Sequence, residues 1–255
     1  MPPTVHVVTG GRWHDFDYAR GQLFDALAAR DDGADVEVVD HRNWPASELD
    51  PGDALISYTC DLRPDAGAQA ALVGFVGAGG RWLALHATNS ALEAPVPGGP
   101  RVFGTPALFG EVSVVLGSRF LAHPPIAPYR VQVTAPDHPL VAGIEPFETR
   151  DELYVSELFG PLEVLLHTRF TGACPSFELG SADDDELRPV LYLRRHGDGA
   201  VVYFTLGHCR SLRELHELGK PDATEDDHGS WELPQFRMIL RRCLDYTLTG
   251  AVSGS

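Results

Sequence analysis

Lysine is nearly absent from this 255-residue sequence, with Lys220 the only one. Schiff-base chemistry and a phosphate-gripping P-loop therefore have no candidate, because Gly219-Lys220 is followed by Pro221 where a P-loop needs Ser or Thr. Positive charge is scarce in general. Twenty Lys and Arg stand against 36 Asp and Glu, a formal charge of -16, so the clustered cations that neutralise phosphates are missing and a nucleic-acid partner is excluded. No stretch approaches the length of apolar residues that spans a bilayer, and the start of the chain has no basic segment leading into an apolar one. Neither membrane insertion nor export is expected. The four cysteines, Cys60, Cys174, Cys209 and Cys243, show no C-x-x-C spacing, which argues against a zinc knuckle or a disulfide framework and for a reduced, cytoplasmic compartment.

What the sequence does contain is an alternation of short β-rich runs with helical patterns. Residues 4–9, 36–40, 54–59 and 81–85 read as strands, several of them bounded by glycine. Residues 18–30, with Leu23, Phe24 and Leu27 on one face, and residues 66–76 read as helices. Strands and helices alternating at this interval imply right-handed crossovers, and hence a doubly wound α/β fold with a mainly parallel sheet and helices on both faces. The second half changes character. Residues 93–110 are rich in Pro and Gly and read as an irregular loop or lid, and 181–186 and 222–229 as acidic loops. Residues 129–134, 163–170, 189–195 and 200–206 read as strands, the last two flanking the hairpin signal His196-Gly197-Asp198-Gly199, so antiparallel additions are expected at one side of the sheet. Residues 233–248 close the chain with a helix whose apolar face carries Phe236, Ile239, Leu240 and Leu244. One domain over 1–255 is the expected organisation.

Ligands of open parallel sheets bind beyond the carboxyl ends of the strands, which makes the strand-to-helix turns the places to search. The first turn holds Gly10-Gly11-Arg12-Trp13-His14-Asp15 and the fourth Leu85-His86-Ala87-Thr88-Asn89. His86 ends a strand where an elbow would expose its side chain, and an imidazole there can exchange protons near neutral pH or ligate a metal. Asp151-Glu152-Leu153-Tyr154 and Leu206-Gly207-His208 offer partners. If the strand before His208 ends at the same edge, His208 approaches His86, and Glu152 can orient an imidazole. Asp151 reads as a cap, His6 as a core residue, His138 as a turn residue, and His167, His196, His216 and His228 as surface positions. Trp231 is expected to cover the core.

These motifs, with Gly79-Gly80-Arg81-Trp82-Leu83-Ala84-Leu85-His86-Ala87, Ala122-His123-Pro124, Asp137-His138-Pro139-Leu140 and Val202-Tyr203-Phe204-Thr205-Leu206-Gly207-His208, resemble the ThuA-like (trehalose utilisation) family in order and spacing. That family lies in the class I glutamine amidotransferase-like superfamily, so the resemblance implies a flavodoxin-like sheet. It also implies carbohydrate metabolism, with oxidised disaccharides such as 3-keto-glycosides as substrates. Amidotransferases carry cysteine at the elbow, whereas His86 stands here, and glutamine hydrolysis is not expected. The loops at 93–110 and 222–229 depart from the family's pattern.

The leading expectation is an isomerase, lyase or hydrolase that acts on a sugar or keto-sugar by acid–base chemistry at His86, His14, Glu152 and His208. Arg12, Trp13, Asn89, His123 and Tyr154 are the expected substrate-binding residues. Two alternatives remain open at this point. Three of His14, His86, His123 and His208 could hold Zn²⁺ or another divalent metal, or the chain could be a non-catalytic sugar-binding module. No cofactor is certain, the partner is a small carbohydrate, and a homo-oligomer is left open.

Overall fold

The computed structural model describes residues 3–30, 36–45, 49–96, 98–99 and 102–251. The chain alternates first: β1 (Thr4–Gly11), α1 (Phe16–Ala28), β2 (Glu37–His41), β3 (Ala54–Cys60), α2 (Ala66–Gly77) and β4 (Arg81–Leu85). It then turns irregular: α3 (Glu111–Leu116), β5 (Ser118–Ala122), β6 (Ala127–Val133), β7 (Phe147–Asp151), β8 (Val155–Leu158), β9 (Glu163–Arg169), β10 (Gly172–Cys174) and β11 (Gly180–Ala182). β12 (Leu187–His196), β13 (Gly199–Phe204), α4 (Leu212–Glu217) and α5 (Pro234–Thr249) complete it.

One nine-stranded sheet runs in the order β2-β1-β3-β4-β13-β12-β9-β6-β7. The five strands from β2 to β13 are parallel, and the four that follow are antiparallel. Alternation of side chains along each strand builds two cores. Val5, Val7, Ile56, Leu83 and Val202 face α1 and α5, whereas Val8, Leu55, Trp82, Ala84 and Val201 face α2 and α3. The sheet is thus covered on both faces, as a near-continuous apolar strand such as Ala54–Cys60 requires. The direction of chain progression reverses between β1 and β3, so the crossovers leave to opposite faces and open a crevice at the carboxyl edge. Three antiparallel steps beyond β12 bring β7 back to the direction of β13, and its last residues reach that same edge.

Local chemistry explains most boundaries. The Asp15 carboxylate accepts from the Tyr18 N–H and starts α1 two residues before the helix expected over 18–30. Gly197, with φ of +58°, supplies the left-handed residue of the two-residue turn between β12 and β13, as the sequence signal foretold. The loop at 93–110 forms no helix or strand among its described residues, but it is pinned: Glu93 pairs with Gly104, and Phe103 pairs with Phe177. Positions 97, 100 and 101 of it lie outside the described residues. Part of the expected acidic loop at 181–186 is instead β11, paired with β10. α3, α4, β5, β7, β8 and β10 had no sequence expectation, because each is short and lacks the unbroken apolar run that marks the equally short β4.

One backbone approach at the crevice is absolute. Gly11 has φ of +114°, and a Cβ on it would fall 1.9 Å from the Cys60 carbonyl oxygen. Gly11→Ala is expected to cost about 2–4 kcal/mol of stability, read as a lower urea midpoint at unchanged slope.

Candidate active site

Four segments converge on the carboxyl edge. β1 exits through Trp13, whose φ is +81°, and this left-handed step leads directly into His14, which is buried. β4 exits into His86, itself at φ +49°, at the head of a single 3-10 turn, His86–Asn89. A β-strand that turns on a non-glycine left-handed residue is strained, and such strain persists where the surroundings hold it. Here the surroundings are a carbonyl and three side chains. His86 Nδ1 lies 2.8 Å from the Thr205 carbonyl oxygen and donates to it, which leaves Nε2 facing the cluster. That Nε2 is 2.8 Å from His14 Nε2, 3.2 Å from the Tyr154 hydroxyl and 3.4 Å from Glu152 Oε2. His14 Nε2 is 3.8 Å from the same carboxylate oxygen. His208 Nδ1 approaches the other, Oε1, to 3.1 Å, but off the axis of a hydrogen bond, and both ring nitrogens of His208 are buried without a hydrogen-bond partner.

Asp151 places His208. Its carboxylate accepts from the N–H groups of Gly207 at 2.9 Å, His208 at 3.2 Å and Ser230 at 3.2 Å, and from the Ser230 hydroxyl. The Gly207 carbonyl is held from the opposite side by Tyr58 and Trp231, each donating at 2.8 Å. The cap read from the sequence for Asp151 is therefore a clamp on the segment after β13.

The electrostatics follow from burial. Desolvation pushes His14 well below the usual imidazole range, against the pull of Glu152. Desolvation acts the same way on His86, but the hydrogen bond and charge of Glu152, aided by Asp151 and the Thr205 carbonyl, outweigh it and raise the group. For Glu152, burial favours the neutral acid, yet the surrounding imidazoles, His123 and His208 first, hold it well below the usual carboxylate range. An ionised, buried carboxylate ringed by imidazoles is the outcome.

Beside the cluster lies a cavity of about 180 Å³. His14, Glu152, His123 and Arg210 form its polar side, and aromatic side chains form much of the rest. His86 does not line it. The exposure expected for an elbow residue is overturned: His86 is 0% accessible, because the segments carrying His14, Tyr154 and His208 fold over it. His123 stands at the rim, Nε2 3.6 Å from Glu152 Oε1, and Trp13 and Tyr154 line the cavity. Arg12 projects outward, its guanidinium 4.6 Å above the Trp13 ring and 3.6 Å from Asp61. Asn89 is not drawn in. It is buried elsewhere, its side chain donating to Ser118 Oγ at 2.7 Å and its N–H to the Tyr203 hydroxyl.

His6 is satisfied by His41 and Asp53, and Trp231 is core, both as expected. Arg210, whose Nη2 is 3.5 Å from Glu152 Oε1, escaped the sequence reading although it lies only two residues beyond His208. Phe103, Phe120 and Phe177 also escaped it, since nothing local distinguishes a cavity phenylalanine from a core one.

The His14, His86, Glu152 and His208 ligand atoms all lie within 4.8 Å of one another. A tetrahedral ion with bonds near 2.1 Å needs ligand atoms about 3.4 Å apart. His14 Nε2, His86 Nε2 and Glu152 Oε2 are 2.8, 3.4 and 3.8 Å apart, around that value, and His208 comes within 3.1 Å of the other carboxylate oxygen. The donor set of three imidazoles and a carboxylate suits zinc and its neighbours, and the His86 Nδ1 contact to a carbonyl is the outer-shell bond that orients a ligating imidazole.

Comparison with known proteins gives the wider setting. Two solved structures described as putative ThuA-like proteins superpose with TM-scores of 0.62. That from Parabacteroides merdae ATCC 43184 is 17% identical and covers 100% of this chain and 93% of its own. That from Bacteroides uniformis ATCC 8492 is 14% identical, with 98% and 94% covered. A cytoplasmic protein from Salmonella typhimurium LT2 matches at TM-score 0.52 and 14% identity, with 98% and 100% covered. These likenesses show the fold. No curated protein matches the chain. No helix among the described residues is long and apolar enough to cross a membrane. The model of the family ThuA, described as trehalose utilisation, matches residues 4–217, which include all four converging segments, and the chain belongs to that family.

Proposed function

We propose that this chain is a cytoplasmic enzyme that acts on a keto-sugar derivative, with His14, His86, His208 and Glu152 holding a divalent cation beside the cavity. The observation that carries the reading is the convergence of four buried ligand atoms from four distant segments, with neither nitrogen of His208 engaged in a hydrogen bond. A cation held there by three of these ligands, with its fourth position open to the cavity, would polarise a carbonyl oxygen as a Lewis acid. A C–H next to that carbonyl then becomes acidic enough for a side chain to remove. His123 suits this role, since it lines the cavity and burial lowers its basicity so that it is neutral at pH 7. The Tyr154 hydroxyl, kept protonated by burial, can donate to the developing enolate. Isomerisation and elimination of a glycosyl group both use this step. Glutamine hydrolysis has no nucleophile here, since burial pushes the Cys60 and Cys209 thiols up and out of the reactive range.

A second reading keeps the same residues without an ion. It is favoured by the 2.8 Å contact between His14 and His86 and the raised basicity of His86, which together form a hydrogen-bonded acid–base pair. One experiment separates them. Protein purified without added metal is analysed for elements, and oxidised mono- and disaccharides are screened against wild type and His86→Ala, with and without chelator. The expected result is about one metal per chain, turnover abolished by chelation, and loss of both in the variant. Metal-free protein with full turnover would leave the acid–base reading, and keto-sugar turnover that survives His86→Ala would sink both.

A further inference from the structure

The cavity beside the histidines is walled by aromatic rings in edge contact. Trp13 meets Phe103 at 5.4 Å between centroids, Phe103 meets Phe177 at 6.0 Å, Phe177 meets Phe120 at 5.3 Å, and Phe120 meets Tyr154 at 4.8 Å. Beyond its polar side, the only hydroxyls among the described lining residues are those of Ser90, Ser176 and Tyr154, and no Asn, Gln, Asp or Lys among them lines it. A pyranose held flat against those rings would find hydrogen-bond partners only along the polar side, whereas a flat apolar ring needs none there. Size points the same way. An apolar-lined cavity of about 150 Å³ holds one benzene ring. The cavity here, about 180 Å³, has room for one ring-sized group within its walls.

A second cavity adjoins it, with Trp13 and His14 lining both. Its other walls are of the opposite character, with Arg12, Asp15, Asp17, Arg42 and Ser211 among them. Such side chains replace the hydration of sugar hydroxyls.

We infer that the substrate is a glycoside with a flat apolar aglycone: the aglycone lies against Trp13, Phe103 and Phe177 of the aromatic cavity, and the sugar lies along that cavity's polar side, by His14, His123 and Glu152, and reaches past His14 toward the polar cavity. This rests on the keto-sugar reading above and specifies its substrate class. Specificity then resides in Phe103 and Phe177, which the two irregular segments bring together through a backbone pair, the Phe103 N–H donating to the Ser176 carbonyl at 2.8 Å. The proline-rich loop at 93–110 is in this way a supplier of substrate wall.

The test measures calorimetric binding of phenyl and methyl glucosides, as both anomers and as their 3-keto derivatives, to wild type, Phe103→Ala and Phe103→Leu. The phenyl member of a matched pair should bind about ten- to a hundredfold tighter than the methyl member. Phe103→Ala should narrow that ratio by weakening the phenyl member more than the methyl member, and Phe103→Leu should keep part of it, with unaltered circular dichroism for both. Equal binding of phenyl and methyl partners, or a phenyl preference indifferent to position 103, overturns the inference. A phenyl preference with no keto-glycoside turned over would uphold the aromatic subsite and defeat the enzymatic reading, whereas turnover without a preference would do the reverse.

Discussion

Glu152→Gln is expected to lose metal by at least about a hundredfold in affinity and keto-sugar turnover by about a thousandfold, while the chain still folds. The amide fills the same volume, so packing is kept. What disappears is the one negative charge around which His14, His86, His123, His208 and Arg210 are arranged. The loss is read by elemental analysis after dialysis and by steady-state kinetics; a Glu152→Gln protein that retains both would show that the carboxylate is a structural counter-charge only. A pH signature accompanies it. The folded-state pKa of Glu152 is depressed, so its contribution to stability is fully present above the ordinary carboxylate value of about 4.5 and is lost as pH falls from there toward the folded value. Urea midpoints of the metal-free protein should therefore drop more steeply below about pH 4.5 for wild type than for Glu152→Gln.

The second large effect belongs to a residue that touches no substrate. Asp151→Ala removes the acceptor for four backbone N–H groups, those of Glu152, Gly207, His208 and Ser230, and one hydroxyl, all buried. Leaving such donors unpaired costs about 3–5 kcal/mol, which for a chain of this size lowers the melting temperature by about 10 °C. Metal content should fall with it, because the segment that carries His208 loses its clamp. His208→Ala gives the opposite balance. It deletes a ring whose nitrogens have no hydrogen-bond partner, so metal should be lost with a smaller drop in melting temperature. Calorimetry and elemental analysis of the two variants separate a residue that positions from one that ligates. Equal melting temperatures would refute the assignment.

The parallel half of the fold was legible because each strand carries its own signal. Thr4–Gly11, Ala54–Cys60 and Arg81–Leu85 are apolar runs ended by turns, and α1 between the first two carries Leu23, Phe24 and Leu27 on one face. The short elements between 111 and 182 were not legible, since they lack the unbroken apolar run that marks the equally short Arg81–Leu85 and their pairing is decided by distant partners. The site divides in the same manner. His14, His86 and His208 could be picked out because each follows a predicted strand, and Glu152 because two carboxylates and a phenol stand together. Arg210 sits on a strand-exit segment too and could have been found by the same rule. Asn89 satisfied that rule and still turned away, because the 3-10 turn that follows His86 points it at Ser118.

The sequence by itself determined the doubly wound architecture, the family and the short list of imidazoles, because strand periodicity and strand-exit position are local properties of the chain. Only the tertiary structure decided that His86 is sealed beneath its partners, that the carboxylate of Glu152 sits among three other ligand atoms, and that Phe103 meets Phe177. Distances of a few ångströms between residues 72 to 119 positions apart, such as His14 to His86 and His86 to Thr205, depend on strand order and on how the antiparallel strands return to the same edge, and no window of sequence contains that information.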